Sequence, residues 1–300
     1  MFNFKPDIQF INYFRIFNFV SLILIIISIG SIFYKGLNFG VDFKGGTLIE
    51  LRVENTEIAI GDVRQSFIKM SLGDVNVKNF GEENDYLIKF EKTDKNKENF
   101  IENIKIELSK DIGNNFSFRR VENVGPKVSG ELLRSGLIAI VLSLSAMLIY
   151  IWIRFEWQFS LGAIIALVHD VIVTIGFFSI LEFEINLSIV AAVLTIVGYS
   201  MNDTVVIFDR VRENLKKYTS KTINEISNLS INETLSRTII TSLTTLLALL
   251  SIFFFGGKIL HGFSFAMILG VIFGTYSSIF IANPILMKLK VSQKSLLKED

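Results

Sequence analysis

The chain has no cysteine and only 3 prolines in 300 residues. Without a thiol, disulfide staples, thiolate nucleophiles and cysteine-ligated metal sites are all excluded. Histidine occurs twice, at His169 and His261, too far apart in sequence for a metal-ligand spacing. An excess of charge is also missing. The formal net charge is +1, so no basic field invites nucleic acid. Glycine-rich phosphate loops, nucleophile elbows and metal-binding helix motifs do not occur, which makes an enzyme the weakest class and leaves no cofactor to expect. What is abundant is apolar surface. Half the residues are hydrophobic, 28 are phenylalanine and the mean hydropathy is +0.49, too high for an ordinary soluble protein of this length.

The apolar residues fall in runs of roughly 18–22, enough to cross about 30 Å of hydrocarbon as helix. The first, Phe17–Phe33, has almost no polar side chains. It is too long for the core of a signal peptide and lacks a small-residue cleavage pattern, so it is expected to be a plain uncleaved anchor. After a long gap come Leu132–Ile153, Phe159–Ile180, Leu187–Phe208, Thr238–Phe255 and Gly262–Leu286, the last ending near Asn283-Pro284. Basic residues set the orientation. Lys5 and Arg15 precede the first span, and Arg154 lies between the second and third. Arg210, Arg212, Lys216, Lys217 and Lys221 follow the fourth, and Lys288, Lys290, Lys294 and Lys298 close the chain, while the opposite loops hold Glu182 and Glu184 or the lone Lys258. Both termini are therefore expected in the cytoplasm.

The gap carries its own pattern. Thr47–Val53 alternates like a strand, Ile60–Met70 has helical spacing, and Val75–Phe80 and Tyr86–Phe90 flank the turn-rich Gly81–Asp85. Phe100–Leu108 has a helical stripe and Phe116–Val124 is a last strand-like run. The order β-α-β-β-α-β is the split, ferredoxin-like pattern, and a segment of about 90 residues can hold a small core. The division expected is residues 1–16 as a cytoplasmic start, 17–34 as the first span, 35–130 as an extracytoplasmic α+β domain, 131–289 as a five-span bundle and 290–300 as a cytoplasmic tail. Gly40, Gly45 and Gly46 are turn residues at the junction, with Asp42 and Lys44 as surface charges or as groups holding the domain's pose.

Ionisable groups within hydrocarbon are costly and each needs a reason. On the fourth span Thr195, Tyr199, Asn202 and Asp203 are spaced by threes and fours, which puts them on one helix face. Asp203 lies seven residues before Arg210, roughly 10 Å along the helix; a pairing with Arg210 at the interface is one reading, a functional acid the other. On the third span His169 and Asp170 fall near the middle, on a face with Thr174, Ala163 and Ala166 that suits helix packing. Burial favours a neutral carboxyl and a nearby cation a charged one, so such a group can take up and release a proton; alternatively it is packing glue. The fifth span starts with Arg237, heading a hydroxyl stripe through Thr241, Thr244 and Thr245. Arg237 is either a basic flank or, being at a depth similar to Asp203, its partner directly or through water. Gly270 and Gly274 make a small-xxx-small surface on the sixth span, continued by Ser277 and Ser278.

Several segments together resemble one family. They are Gly40-Val-Asp-Phe-Lys-Gly-Gly-Thr47, Val124-Gly-Pro-Lys-Val-Ser-Gly-Glu131, Arg154-Phe-Glu-Trp157, Val168-His-Asp170, Val197-Gly-Tyr-Ser-Met-Asn-Asp-Thr-Val-Val-Ile-Phe-Asp-Arg210, Thr234-Leu-Ser-Arg-Thr238 and Gly274-Thr-Tyr-Ser-Ser278. In this order they resemble the SecD/SecF family of bacterial protein export, on the side of its smaller, SecF-type chains, over nearly the whole sequence. The resemblance implies an α-helical polytopic protein in the bacterial inner membrane, with one plus five spans forming half of an RND-type transporter. It implies SecD as the other half, the SecYEG channel and preproteins as further partners, and the proton-motive force as energy source after the ATP-driven step. It also implies that Asp203 matches the family's membrane-embedded acid and Arg237 its fifth-span arginine. Asp170, His169, Asn202 and Tyr199 are further candidates for proton coupling from their placement. Two other functions remain open: an RND-type exporter of small molecules or lipids, and a non-transporting assembly factor.

Overall fold

The structure is a computed structural model that describes residues 7–54, 58–81, 84–91 and 97–291. In chain order its elements are α1 (Ile11–Lys35), α2 (Val41–Lys44), β1 (Gly46–Val53), α3 (Ile60–Lys69), β2 (Val75–Asn79), β3 (Asp85–Phe90), α4 (Lys97–Ile112), β4 (Phe116–Val124), α5 (Pro126–Arg154), α6 (Trp157–Ile180), α7 (Leu187–Lys217), α8 (Ile223–Phe255), α9 (Lys258–Ser277), a π-helical turn (Ser278–Ala282) and α10 (Asn283–Lys288). They form two compact units, one of residues 1–38 with 138–300 and one of residues 39–137, against the expected domain limits of 35–130. Glu82 and Glu83 of the expected turn lie outside the described residues, as do Lys5, Lys294 and Lys298.

Among the described residues, six helical segments are long and apolar enough to cross a membrane: α1, α5, α6, α7, α8, and α9 continued through α10. α6, α7 and α9 form the centre of the bundle, where Phe159, Ala166, Val173, Ile196, Val197, Phe208, Ala266 and Val271 are all buried. α1, α5 and α8 leave most of their apolar surface open, as helices facing lipid or another protein do.

Three helices depart from the apolar runs for identifiable reasons. α8 begins at Ile223, fifteen residues before the apolar run at Thr238, because Thr222 and Glu225 form a capping box there. Ile226, Ile231 and Leu235 then give this polar-rich half a buried stripe. α7 runs past Phe208 to Lys217 because its polar-rich end also carries a buried stripe, Val211, Asn214 and Leu215. At the last span, Pro284 has no N–H and its ring opposes the carbonyl four residues back. A π-helical turn absorbs the mismatch, and Asn283 Nδ2 donates to the Ser278 carbonyl at 2.8 Å, so the helix passes Pro284 and ends at Lys288.

α1 is more than a plain anchor. Ser21 and Ser28 are buried, Ser21 Oγ lies 2.7 Å from Tyr276 Oη, and Tyr276 Oη donates to the Phe17 carbonyl at 2.6 Å. A methyl at Gly176 would sit 2.2 Å from Ser28 Cβ, so α1 and α6 touch almost backbone to backbone. Serines within an apolar run are invisible to hydropathy, so the sequence alone suggests a plain anchor.

In the second unit the sheet order is β2-β3-β1-β4, all antiparallel, the arrangement expected of the ferredoxin-like pattern. Ile49 pairs with Ile88 and Leu51 with Tyr86; with Val63, Phe67, Ile104 and Leu108 from α3 and α4 they make the core. On the other face Arg52 Nε and Nη2 donate to the two Asp85 oxygens at 2.6 and 2.7 Å. Ahead of β1 the structure adds the short helix α2, which the glycine-rich spacing had presented only as a turn. Gly45 and Gly46 end it with φ of 79° and 119°, and a Cβ on Gly46 would lie 2.6 Å from the Phe90 carbonyl oxygen.

Candidate functional site

The two intramembrane acids occupy different surroundings. Asp170 is fully buried on α6. Its Oδ2 accepts from Ser200 Oγ of α7 and Ser277 Oγ of α9, each at 2.7 Å, and its Oδ1 lies 2.9 Å from His169 Nδ1. One carboxyl group therefore ties the three central helices together. The helices can approach because the facing residues are small: a Cβ on Gly274 would meet Ser200 Cβ at 2.9 Å, and one on Gly270 would meet Ile196 Cγ1 at 2.2 Å. His169 is buried against the rings of Phe273 and Tyr276. Its Nε2, and Thr174 Oγ1 one turn along α6 from Asp170, have no hydrogen-bond partner among the described residues.

Asp203, 4% exposed, sits one turn beyond Ser200 on α7 and is held loosely. Its Oδ2 lies 3.4 Å from Ser242 Oγ of α8 and 3.3 Å from Thr275 Oγ1 of α9, while those two hydroxyls are 2.7 Å from each other. Contacts this long are weak. Asp203 is thus a carboxyl that can exchange partners, where Asp170 is fixed by three short bonds.

The expected direct Asp203–Arg237 contact is not formed in this arrangement, although the Arg237 charge is near enough to act on the Asp203 carboxyl. Arg237 is exposed on α8, and its guanidinium makes no hydrogen bond or ion pair among the described residues. The physical reason is rotation. Ser242 is five residues further on, which turns it about 140° around the helix from Arg237, and it is Ser242 that points at Asp203. The alternative partner is corrected too: Arg210 Nε binds Glu233 at 2.6 Å and Arg210 Nη1 binds Glu213 at 2.7 Å, not Asp203. The fourth-span polar face is likewise split. Asp203 turns inward, Tyr199 is half-buried with its hydroxyl 3.4 Å from the Thr241 carbonyl, and Thr195, Gly198 and Asn202 are exposed.

The hydroxyl stripe of the fifth span is mostly self-satisfied. Thr241, Thr244 and Thr245 donate to carbonyls of their own helix at 3.0, 2.9 and 2.9 Å, the usual behaviour of threonine inside a helix. Among the described residues, the hydroxyls that reach Asp170 or Asp203 are Ser200, Ser242, Thr275 and Ser277. Ser200 lies four residues from Ile196 and three from Asp203, so helix spacing alone put it near the acid; only the tertiary fold shows that it serves Asp170 instead. The described residues hold no group of three or more His, Cys, Asp or Glu side chains placed to bind a metal.

Comparison with known proteins bears on this geometry. A family model described as "Protein export membrane protein SecD/SecF, C-terminal" matches residues 104–292, and one described as "SecD/SecF GG Motif" matches residues 30–57. The chain is 50% identical over 283 residues to the protein translocase subunit SecF of Rickettsia bellii, covering 94% of this chain and 93% of that protein. It is 48% identical over 285 residues to SecF of Rickettsia prowazekii, covering 94% and 91%. The crystal structure of SecDF, a translocon-associated membrane protein from Thermus thermophilus, superimposes with a TM-score of 0.85 at 33% identity; a SecDF structure in a super-membrane-facing form matches with 0.71. Each covers 97% of this chain, which spans 40% of the SecDF chain.

Proposed function

We propose a function from one premise: the chain belongs to the SecD/SecF family of protein-export membrane proteins, as a SecF subunit of the protein translocase. It works with SecD as the second half of an RND-like unit in the bacterial inner membrane, with both termini in the cytoplasm and the α+β domain outside. The proton-motive force moves preproteins through the SecYEG channel after the ATP-driven step, and Asp203 is the acid through which this chain takes part.

The observation that carries this reading is an unfinished face. Exposed Thr195, Gly198 and Asn202 lie on α7 with buried Asp203, and α8 exposes Arg237, which acts on Asp203 only at a distance and makes no hydrogen bond or close ion pair among the described residues. A guanidinium at membrane depth needs a counter-charge or water. A second membrane half laid on α7 and α8 supplies the missing surface, in keeping with a chain that spans 40% of its SecDF relative. Protonating Asp203 removes a charge from a loosely held carboxyl, and α7 then has two arrangements of different stability to choose between. Asp170, locked by Ser200, Ser277 and His169, keeps α6, α7 and α9 in register while this happens.

The test is replacement of the native gene product in cells. Asp203→Asn and Arg237→Lys are expected to insert and to co-purify with the SecD-like partner while losing export stimulation. Normal export by both variants would overturn the reading.

A further inference from the structure

The segment Arg154-Phe155-Glu156-Trp157 has no part in the site above, yet it is gripped by α7, the helix that carries Asp203. Arg154 Nη2 donates to Asp209 Oδ1 at 3.0 Å, and Arg212 Nη1 donates to the Arg154 carbonyl at 3.3 Å. Both guanidiniums lie over the Phe155 ring, 5.0 and 5.9 Å from its centroid. Asp209 and Arg212 are three residues apart and so share one face of α7.

The remaining member of this cluster is incomplete. Glu156 is 5% exposed at the first turn of α6, where its side chain does not cap the helix. Neither of its carboxylate oxygens has a hydrogen-bond partner among the described residues. Arg212 Nε, buried and also without a hydrogen bond among the described residues, lies 3.8 Å from Glu156 Oε1, a long ion pair with no hydrogen bond closed. A hydrogen bond between arginine and carboxylate closes at about 2.7–2.9 Å, so the two halves stand about 1 Å short of each other. Neighbouring charges are already engaged: Arg154 with Asp209, and Arg210 with Glu213 and Glu233. A buried carboxylate facing a buried N–H, neither with another partner, favours any movement that joins them.

We propose that Glu156 and Arg212 are positioning residues of the transport cycle, forming a latch between the α5–α6 turn and α7 that is open in this arrangement and closes in the alternate one. α7 is a single helix from Leu187 to Lys217, and Arg212 is nine residues, about 13.5 Å, from Asp203. A shift or rotation of α7 set off at Asp203 is carried along a rigid rod to Arg212, and a displacement of about 1 Å is of the size by which packed helices switch. The Arg154–Asp209 bridge keeps the two elements in contact in both states. The latch rests on the reading of Asp203 as the coupling acid.

The absence of native cysteine makes the test clean. A single cysteine placed at exposed Lys216 carries a trifluoromethyl label on the full chain, reconstituted with its SecD-like partner, and fluorine NMR, which senses sub-ångström changes of surroundings, is recorded in mildly acid and mildly alkaline buffer. Two resonance populations are expected, with proportions that change with pH and are fixed by Asp203→Asn. Glu156→Gln is expected to lose one population, and the charge exchange of Glu156→Arg with Arg212→Glu to regain it together with export. A correctly eluting Glu156→Gln protein that keeps both populations overturns the latch, as does a native protein with one population under both conditions. Should the charge exchange fail to fold, Arg212→Gln gives the same contrast as Glu156→Gln. If Asp203→Asn exports normally, the coupling reading fails first; if it loses export while Glu156→Gln exports and moves like the native chain, only the latch fails.

Discussion

Asp170 offers the sharpest prediction about what holds the bundle. Its carboxyl takes part in three hydrogen bonds, of 2.7, 2.7 and 2.9 Å, across α6, α7 and α9. Interhelical hydrogen bonds in membranes average about 0.6 kcal/mol and reach about 1.7. Two of the three, to Ser200 and Ser277, are interhelical, and the bond to His169 within α6 adds about 1 kcal/mol, so Asp170→Ala costs about 2 kcal/mol from hydrogen bonding alone. At about 2–4 °C per kcal/mol, the unfolding midpoint in detergent is expected to fall by about 4–8 °C. Asp170→Asn keeps an oxygen for both serines and turns an amide toward His169 Nδ1. The ring must then accept there and carry its proton on Nε2, which has no partner among the described residues. Its cost is about one bond, or about 1–3 °C. Ser200→Ala loses a similar amount and Ser277→Ala less, since Ser277 Oγ also lies 3.2 Å from the Gly274 carbonyl. The assay is a thermal scan of the purified chain at one fixed rate, followed by size-exclusion fluorescence. An unchanged midpoint for Asp170→Ala refutes the reasoning. So does an Asp170→Asn protein that falls as far as the alanine variant, because the negative charge and not the hydrogen bonding would then be what matters.

Gly176→Ala drives a methyl against Ser28, whose Cα would lie 2.7 Å away, and is expected to destabilise the chain by about 1–3 kcal/mol; Gly30→Ala, with open space around it, is the neutral control in the same thermal scan. Gly46→Ala combines a φ of 119° with a clash on the Phe90 carbonyl, and is expected to lower amide protection in β1 and β3 by about 1–3 kcal/mol in hydrogen exchange. In the α+β domain, the hydrogen bonds from Arg52 hold the Asp85 carboxyl below the usual carboxylate range. A depressed value in the folded state adds stability above the ordinary carboxylate pKa of about 4, and that stability is lost as the pH falls through the depressed value. Asp85→Asn is therefore expected to cost about 1.5–3 kcal/mol at neutral pH and progressively less in acid, read from melting of the β-sheet signal at several pH values.

Much of the architecture was legible because the bilayer leaves few alternatives. An apolar run of the right length can only be a helix, and the alternation in Thr47–Val53 and Tyr86–Phe90 corresponds to the buried faces of β1 and β3. Legibility ended where rotation about a helix axis mattered. Depth along the chain placed Asp203 and Arg237 at the same level, but not which way each faced, and Arg237 turns outward while Ser242 turns in. The roles of Ser200 and Ser277 depend on three helices meeting at one point, which spacing within a single helix does not encode. The early start of α8 was hidden because its first half is polar on one side; the capping pair Thr222 and Glu225 was the available signal. Glu156 and Arg212 stood in plain view as charged residues at a loop, and only burial separates them from an ordinary positive flank.

The central claim is that this subunit couples proton movement to export through Asp203. Proteoliposomes holding the chain with its SecD-like partner and the SecYEG channel, loaded with a preprotein arrested after the ATP-driven step, test it directly. Completion of translocation is measured with and without an imposed proton gradient. The account predicts acceleration by the gradient for the native chain and none for Asp203→Asn, with both proteins inserted equally. Equal acceleration of the two would contradict it.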